Sequence, residues 1–376
     1  MALKASLVMT TIYDSTVLET YFANLQHYGH LDDVETYVIA DRKTPREMLE
    51  RCASLARRGL KVMCPTLNEQ EEFLRQVGFP PHLIPYDSDN RRNIGYLMAL
   101  RSGSDFMISI DDDNYCRPDE DVFAAHAVVC ERTYLAQVVE TDEGWFNICT
   151  LLELDRPETT YPRGFPYYAR HKPMEPKITT ASADVHINAG LWLVAPDVDA
   201  INWLVAPMQA TSFKGPPLVL GRHTWSPINT QNTAFRRDAV AAYYYIKMGY
   251  PLGGITLDRY SDIFSGYLVE ACVKHLGGGI RVGTPVADHR RNSHNYLKDA
   301  AGEWGCIPLF EDLLPWLHEV KLSGRTYLEI YAVLGDAMED AVEKLHGAIW
   351  TDAARGYFHQ VAHHMRKWAT VASRLL

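Results

Sequence analysis

In SDFMISIDDDNYC, residues 104–116, an apolar run from Phe106 to Ile110 stops at three consecutive carboxylates, Asp111, Asp112 and Asp113. Like charges side by side raise one another's proton affinity and destabilise a fold unless something neutralises them. The apolar run has the length and composition of a buried strand. Alternate residues of an extended segment point the same way, so Asp111 and Asp113 can converge on one cation. A hard divalent ion such as Mg²⁺ or Mn²⁺ takes oxygen ligands and shares them with substrate phosphates, which would remove the repulsion. A solvated acidic turn is the plainer alternative.

The sequence before this stretch supports the strand. Leu7–Ile12, 36–40 and 60–64 are further short apolar runs. Between them lie segments with helical spacing. Thr16-x-x-Glu19 and Thr44-Pro45-Arg46-Glu47 have the form of capping boxes, Asn68 is placed to cap a third helix, and a fourth spans about 93–101 and stops near Gly103. A β-α-β-α order demands a largely parallel, Rossmann-type α/β sheet flanked by helices, with ligands at the carboxyl ends of its strands. The triple aspartate sits at such an end.

Farther along, residues 155–184 mix five prolines with Tyr161, Phe165, Tyr167 and Tyr168, which predicts a long ordered loop that covers something. Strands are expected at 189–195 and 284–287 and a helix over 258–276, stopped by Gly277–Gly279. Beyond Ile307 the pattern is helical, with Tyr327, Ile330, Tyr331, Leu334, Met338, Val342 and Leu345 on one face. This divides the chain into an α/β catalytic unit over 1–300 and a C-terminal helical region over 301–376.

The 376 residues carry a net charge of −10, which argues against bulk nucleic-acid binding. Seven scattered cysteines without a CxxC pair exclude a disulfide framework and fit a reduced, cytoplasmic setting. No run reaches the ~18 apolar residues of a membrane span, so a soluble protein is expected. No GxGxxG follows a strand, and no P-loop is present. His359 and His363 lack a third nearby ligand and read as surface histidines.

Two other clusters carry candidate chemistry. His289, in VADHRRNSHNYLKD, follows a predicted strand and could supply a third metal ligand, while Arg290, Arg291 and Lys298 offer positive charge for a diphosphate. A solvated basic loop fits that spacing equally well. Asp258 and Asp262 bracket the start of DRYSDIFSGYLVEAC, either as partners of the helix dipole or, for Asp262, as a base or sugar-hydroxyl acceptor.

Taken together, FMISIDDDNY, WFNICTLLELDRP, YPRGFPYYAR, HINAGLWLVAPDVDA, NTAFRRDAV, DRYSDIFSGYLVEACVKHLGGGIRVGTP and the tail from IPLFEDLLPWLHEVKLS resemble the GT-A nucleotide-sugar enzymes. More closely, they resemble the reversibly glycosylated polypeptides, a family that includes the UDP-arabinopyranose mutases. The likeness runs in order from about residue 90 to the end of the chain. It implies a GT-A-like fold and a Mn²⁺ or Mg²⁺ ion held by Asp111, Asp113 and His289 against the diphosphate of a UDP-sugar. It also places Asp112 among the nucleotide-facing residues, and Thr10, Thr11 and Asp41 at the nucleoside. Asp262 matches the second acid of the family's Tyr-Asp-Asp element. The first of those acids is Ser261 here, a departure that bears on how sugar hydroxyls are held. RGFPYYAR aligns with the segment bearing the reversibly glycosylated arginine, which points to Arg170, although His171-Lys172-Pro173 departs from the family's acidic-glycine continuation.

The resemblance therefore implies a metal-dependent UDP-sugar mutase acting through Arg170. A glycosyltransferase that hands the sugar to a small-molecule or glycan acceptor, with Asp262 as base, is the alternative. A non-catalytic partner subunit is a third reading. The helical tail offers a surface on which copies of the chain could meet.

Overall fold

The computed structural model describes residues 2–376. Its first four sheet strands are Ala5–Thr11, Val34–Ala40, Lys61–Met63 and Phe106–Ile110. They lie in the order 61–63, 34–40, 5–11, 106–110 and are parallel throughout. The parallel sheet demanded by the β-α-β-α pattern is thus present in this half. Beyond Phe106–Ile110 the sheet becomes mixed. Asn232–Arg236 runs antiparallel to it, followed by Val185–Val194, Gly279–His289, Leu218–Leu220, Tyr134–Glu140 and the edge strand Lys177–Ala183.

Strand alternation feeds two apolar layers, one on each face. Leu7 and Met9 enter the layer built with helices Val17–Tyr28 and Arg46–Arg57, while Val8 between them enters the other. That second layer also takes in helices Leu67–Val77, Arg92–Ser102 and Ser261–His275. Helices Cys306–Glu319, Tyr327–Val342 and Asp352–Ala372 pack into the same layer through residues such as Leu309, Tyr331 and Trp368. Tyr327, Ile330, Tyr331, Leu334, Met338 and Val342 are all buried, as their spacing predicts. No helix among the described residues is long and apolar enough to cross a membrane.

Several local expectations fail for identifiable reasons. Thr16 precedes the first helix but makes no capping bond; its hydroxyl meets that of Tyr115 at 3.1 Å. Thr44 likewise does not cap. Its hydroxyl donates to the Thr11 carbonyl at 2.5 Å and accepts from the Asp41 amide at 2.8 Å, tying two strand ends together. The third helix is capped by Thr66 in a full capping box with Glu69, not by Asn68. The helix expected over 258–276 begins at Ser261, leaving Asp258 in the preceding turn. The proline-rich segment is irregular only as far as Lys177, where the exposed edge strand starts.

Helix Ser261–His275 is buried at every position up to Lys274. At Gly266 the helix lies tight against its neighbour: a Cβ there would stand 2.4 Å from the Ile228 carbonyl oxygen. Gly266→Ala must push the helix away and is expected to cost about 2 kcal/mol in stability. Urea unfolding would measure the loss, and an unchanged midpoint would contradict this packing.

Candidate active site

Ala5–Thr11, Val34–Ala40, Phe106–Ile110, Val185–Val194 and Gly279–His289 all point the same way in the sheet, so their carboxyl ends share one edge. A cleft of about 440 Å³ opens there, lined by nine aspartates and six lysine or arginine side chains. Carboxylates outnumber fixed cations, so a phosphate-bearing ligand meets net repulsion unless it brings a cation.

The three consecutive aspartates are treated differently by the fold. Asp111 is paired with Arg92, a side chain only 5% exposed that also donates to Ser109 Oγ at 2.9 Å and the Ile110 carbonyl at 3.2 Å. Asp112 accepts from the Thr11 hydroxyl at 2.5 Å. Asp113 is brought to His289 by strand pairing, because Asn114–Cys116 runs antiparallel to 287–289 and the Arg290 amide donates to the Asp113 carbonyl at 2.9 Å. Burial is the largest influence on all three carboxyls and pushes them up. For Asp111 it outweighs Arg92, and Asp112 reaches about 6. Only Asp113 ends below its usual value, because His289, the Asn292 amide and His294 together offset the burial.

Among the described residues, no three His, Cys, Asp or Glu side chains gather closely enough to hold a metal by themselves. Asp113 and His289 fit as two of its donors. Nδ1 of His289 faces the Ala195 carbonyl at 2.6 Å, and since a carbonyl only accepts, Nδ1 carries the proton. Nε2 is thereby turned to Asp113 Oδ2 at 3.5 Å. Two donors at about 2.1 Å from one octahedral ion stand about 3 Å apart, so small adjustments suffice. Asp111, expected as a further donor, has its Oδ1 paired with Arg92.

Within the proline-rich loop, Arg163 reaches the cleft. Residue 162 bridges to Val198, and the Arg163 amide donates to the Asp197 carbonyl at 2.9 Å, fixing the backbone beside the end of strand Val185–Val194. Gly164 follows with φ +85°, and a Cβ there would stand 2.3 Å from Ile263, so only glycine lets the loop close onto helix Ser261–His275. Arg163 Nε and Nη2 donate to Asp197 at 2.9 and 3.0 Å. Nη1 and Nη2 donate to Asp262 at 3.1 and 2.8 Å, and Nη1 also donates to the Arg259 carbonyl. These contacts employ all five N–H donors of a guanidinium. Burial works against its charge, but Asp197 and Asp262 outweigh that and hold it more firmly protonated than a free arginine.

Arg170 lies elsewhere. It does not line the cleft and is 7% exposed. Its Nη2 donates to the fully buried Asp199 at 2.6 Å, and its guanidinium lies 3.7 Å from the Tyr167 ring. Asp199 also caps helix Ala200–Val205 by accepting from the Asn202 amide at 2.9 Å. Arg170 thus clamps the proline-rich loop to a helix start. Glu311 anchors the same loop from the C-terminal helices, accepting the Tyr167 and Tyr168 amides at 2.7 and 3.0 Å.

Of the other expected positions, Thr10, Thr11, Asp41, Asp112, Asp262 and Arg291 line the cleft with Asp111, Asp113 and His289. Arg290 and Lys298 do not. Arg290 is exposed over the Tyr115 ring, and Lys298 is exposed on helix Tyr296–Trp304. Sequence reasoning missed Lys43, Arg91, Arg92 and Asp197. The glycine after Arg163 was the one local sign that this arginine, rather than Arg170, approaches another element closely.

The family described as reversibly glycosylated polypeptide matches residues 65–375. UDP-arabinopyranose mutase 2 of Arabidopsis thaliana is 25% identical over 306 residues, covering 80% of this chain and 77% of that protein. UDP-arabinopyranose mutase 1 of Oryza sativa subsp. japonica is 24% identical over 283 residues, covering 74% and 72%. Among solved structures, glucosyl-3-phosphoglycerate synthase from Mycobacterium tuberculosis with Mn²⁺ and uridine-diphosphate-glucose aligns over 86% of this chain and 82% of that one, with 13% identity and a TM-score of 0.41. With the family match extending over most of its length, the chain belongs to the reversibly glycosylated polypeptide family.

Proposed function

We propose that this protein is a metal-dependent UDP-sugar mutase that passes the sugar reversibly onto Arg163. Its relatives named UDP-arabinopyranose mutase make UDP-arabinopyranose the first substrate to test. The observation that carries the reading is Arg163 itself, wrapped by two aspartates in the cleft that also holds Asp113 and His289. A GT-A-like nucleotide site fits this arrangement, with Thr10, Thr11 and Asp41 toward the nucleoside.

Mn²⁺ or Mg²⁺ held by Asp113 and His289 would offset the excess of carboxylates and act as a Lewis acid for the departing diphosphate. The remaining chemistry falls to Arg163. A protonated guanidinium has no free electron pair, so a nitrogen must lose a proton to attack. Asp197 is further held by Asn229 Nδ2 at 2.7 Å and lies below its usual carboxyl range even though burial, the largest influence, raises it; Arg163 outweighs that burial. The Asp262 carboxylate, by contrast, accepts only from Arg163 among the described residues, and Asp262 takes the proton. The freed nitrogen pair bonds to the anomeric carbon while the carbon–oxygen bond to the diphosphate breaks with its pair on oxygen. On nitrogen the sugar ring can open and reclose. The reverse displacement by diphosphate then returns the proton from Asp262 to Arg163.

Transfer to an external acceptor would ask Asp262 to receive that acceptor's hydroxyl proton. Both Asp262 oxygens are occupied by Arg163, which favours the mutase reading.

With Mn²⁺ and UDP-arabinopyranose labelled in the sugar, label is expected on the wild-type protein and is expected to vanish in Arg163→Lys and with EDTA. Label on Arg163→Lys would contradict the proposal. Arg170→Lys is expected to retain label but to lose about 2 kcal/mol of stability in urea unfolding, because one ammonium cannot replace a buried guanidinium. For Mn²⁺ binding in the presence of UDP, Asp113→Asn should weaken affinity at least tenfold. Asp111→Asn should weaken it less, and equal losses would return Asp111 to the metal.

A further inference from the structure

Asp89 has no part in the chemistry above, yet it lines the same cleft. It opens the short turn Asp89–Arg91 and is exposed, in contrast to the buried Asn90, Arg91 and Arg92 that follow it. One of its oxygens is fixed. Oδ2 accepts from the Ser261 hydroxyl at 2.8 Å and from the Tyr245 hydroxyl at 3.3 Å. Both donors are buried, at 1% and 6% exposure, and of the two only Tyr245 lines the cleft. Oδ1 meets only the Ser88 hydroxyl, at a marginal 3.5 Å. Among the described residues, no lysine or arginine pairs with Asp89 within salt-bridge distance.

The position of this carboxylate follows from its partners. Ser261 precedes Asp262, and Asp262 grips Arg163. Asp89 is therefore connected, through Ser261 and its chain neighbour Asp262, to the arginine proposed to receive the sugar. A carboxylate pinned at one oxygen, open at the other and lacking a cation repels a diphosphate, whereas it accepts hydrogen bonds from neutral hydroxyls. The residue that pins it is the serine standing where the family's Tyr-Asp-Asp element has its first acid.

We propose that Asp89 determines sugar specificity by accepting hydrogen bonds from the hydroxyl groups of the UDP-linked sugar, with Ser261 and Tyr245 as positioning residues. The carboxylate absent from position 261 is supplied from a different segment, and Ser261 aims it. The inference rests on the UDP-sugar reading of the cleft.

Calorimetric titration of the full chain with UDP and with UDP-arabinopyranose, both in Mn²⁺, separates the sugar's share of binding from the nucleotide's. Asp89→Ala is expected to bind UDP within twofold of wild type, which also shows that it is folded, and to bind the UDP-sugar at least tenfold more weakly. Ser261→Ala should show the same selective loss at about threefold. The double variant Asp89→Ser, Ser261→Asp, which returns a carboxylate from the other side of the hydrogen bond, should recover UDP-sugar binding to within threefold of wild type. Equal weakening of both ligands in Asp89→Ala, or no weakening of the UDP-sugar, overturns the proposal. Failure of the wild type to bind UDP would instead overturn the UDP-sugar reading, and this inference with it.

Discussion

Aspartates crowded at one edge of a sheet must be neutralised from inside the fold, and in and beside this cleft buried arginines do so, Arg91 beside Asp41 among them. Arg92 reaches up from its helix to Asp111, Arg163 enters between Asp197 and Asp262, and Arg170 closes on Asp199. Each pair joins two different elements, so each fixes where a loop or helix lies relative to the strand ends. Burying such pairs contributes little net stability, because desolvation offsets the attraction, while removing one partner leaves a costly uncompensated charge. Their benefit is position.

This arrangement sets the terms for catalysis. Asp113 and His289, outside the arginine pairs, are the donors left facing each other at the cleft. Arg163 has every N–H engaged in the resting protein, which makes it inert until one partner takes a proton. A nucleophile held this way is oriented in advance, and its reaction waits on a substrate electrophilic enough to draw a proton across an existing hydrogen bond.

The strand ending in Asp111–Asp113 was legible because a short apolar run and an abrupt change to charge are both local patterns. The parallel first half of the sheet followed from the alternation of elements. His289 needed the family resemblance, since its neighbours Arg290 and Arg291 look alike in sequence and only the second faces the cleft. The choice between Arg163 and Arg170 was not legible. It depends on the bridge from residue 162 to Val198 and on the approach of Gly164 to Ile263, of which the single glycine is the one trace within the loop. Thr16 and Thr44 have the right spacing to cap helices, but their hydroxyls found partners on other elements. Strand Lys177–Ala183 was hidden because an exposed edge strand need not alternate apolar and polar residues.

The central claim is that Arg163 carries the sugar. The most direct measurement is peptide mass analysis of the intact protein after incubation with Mn²⁺ and UDP-arabinopyranose, repeated after excess UDP is added. The account predicts one pentose on Arg163 that disappears when UDP is returned. A pentose on Arg170, or furanose product formed while Arg163 stays unmodified, would contradict it.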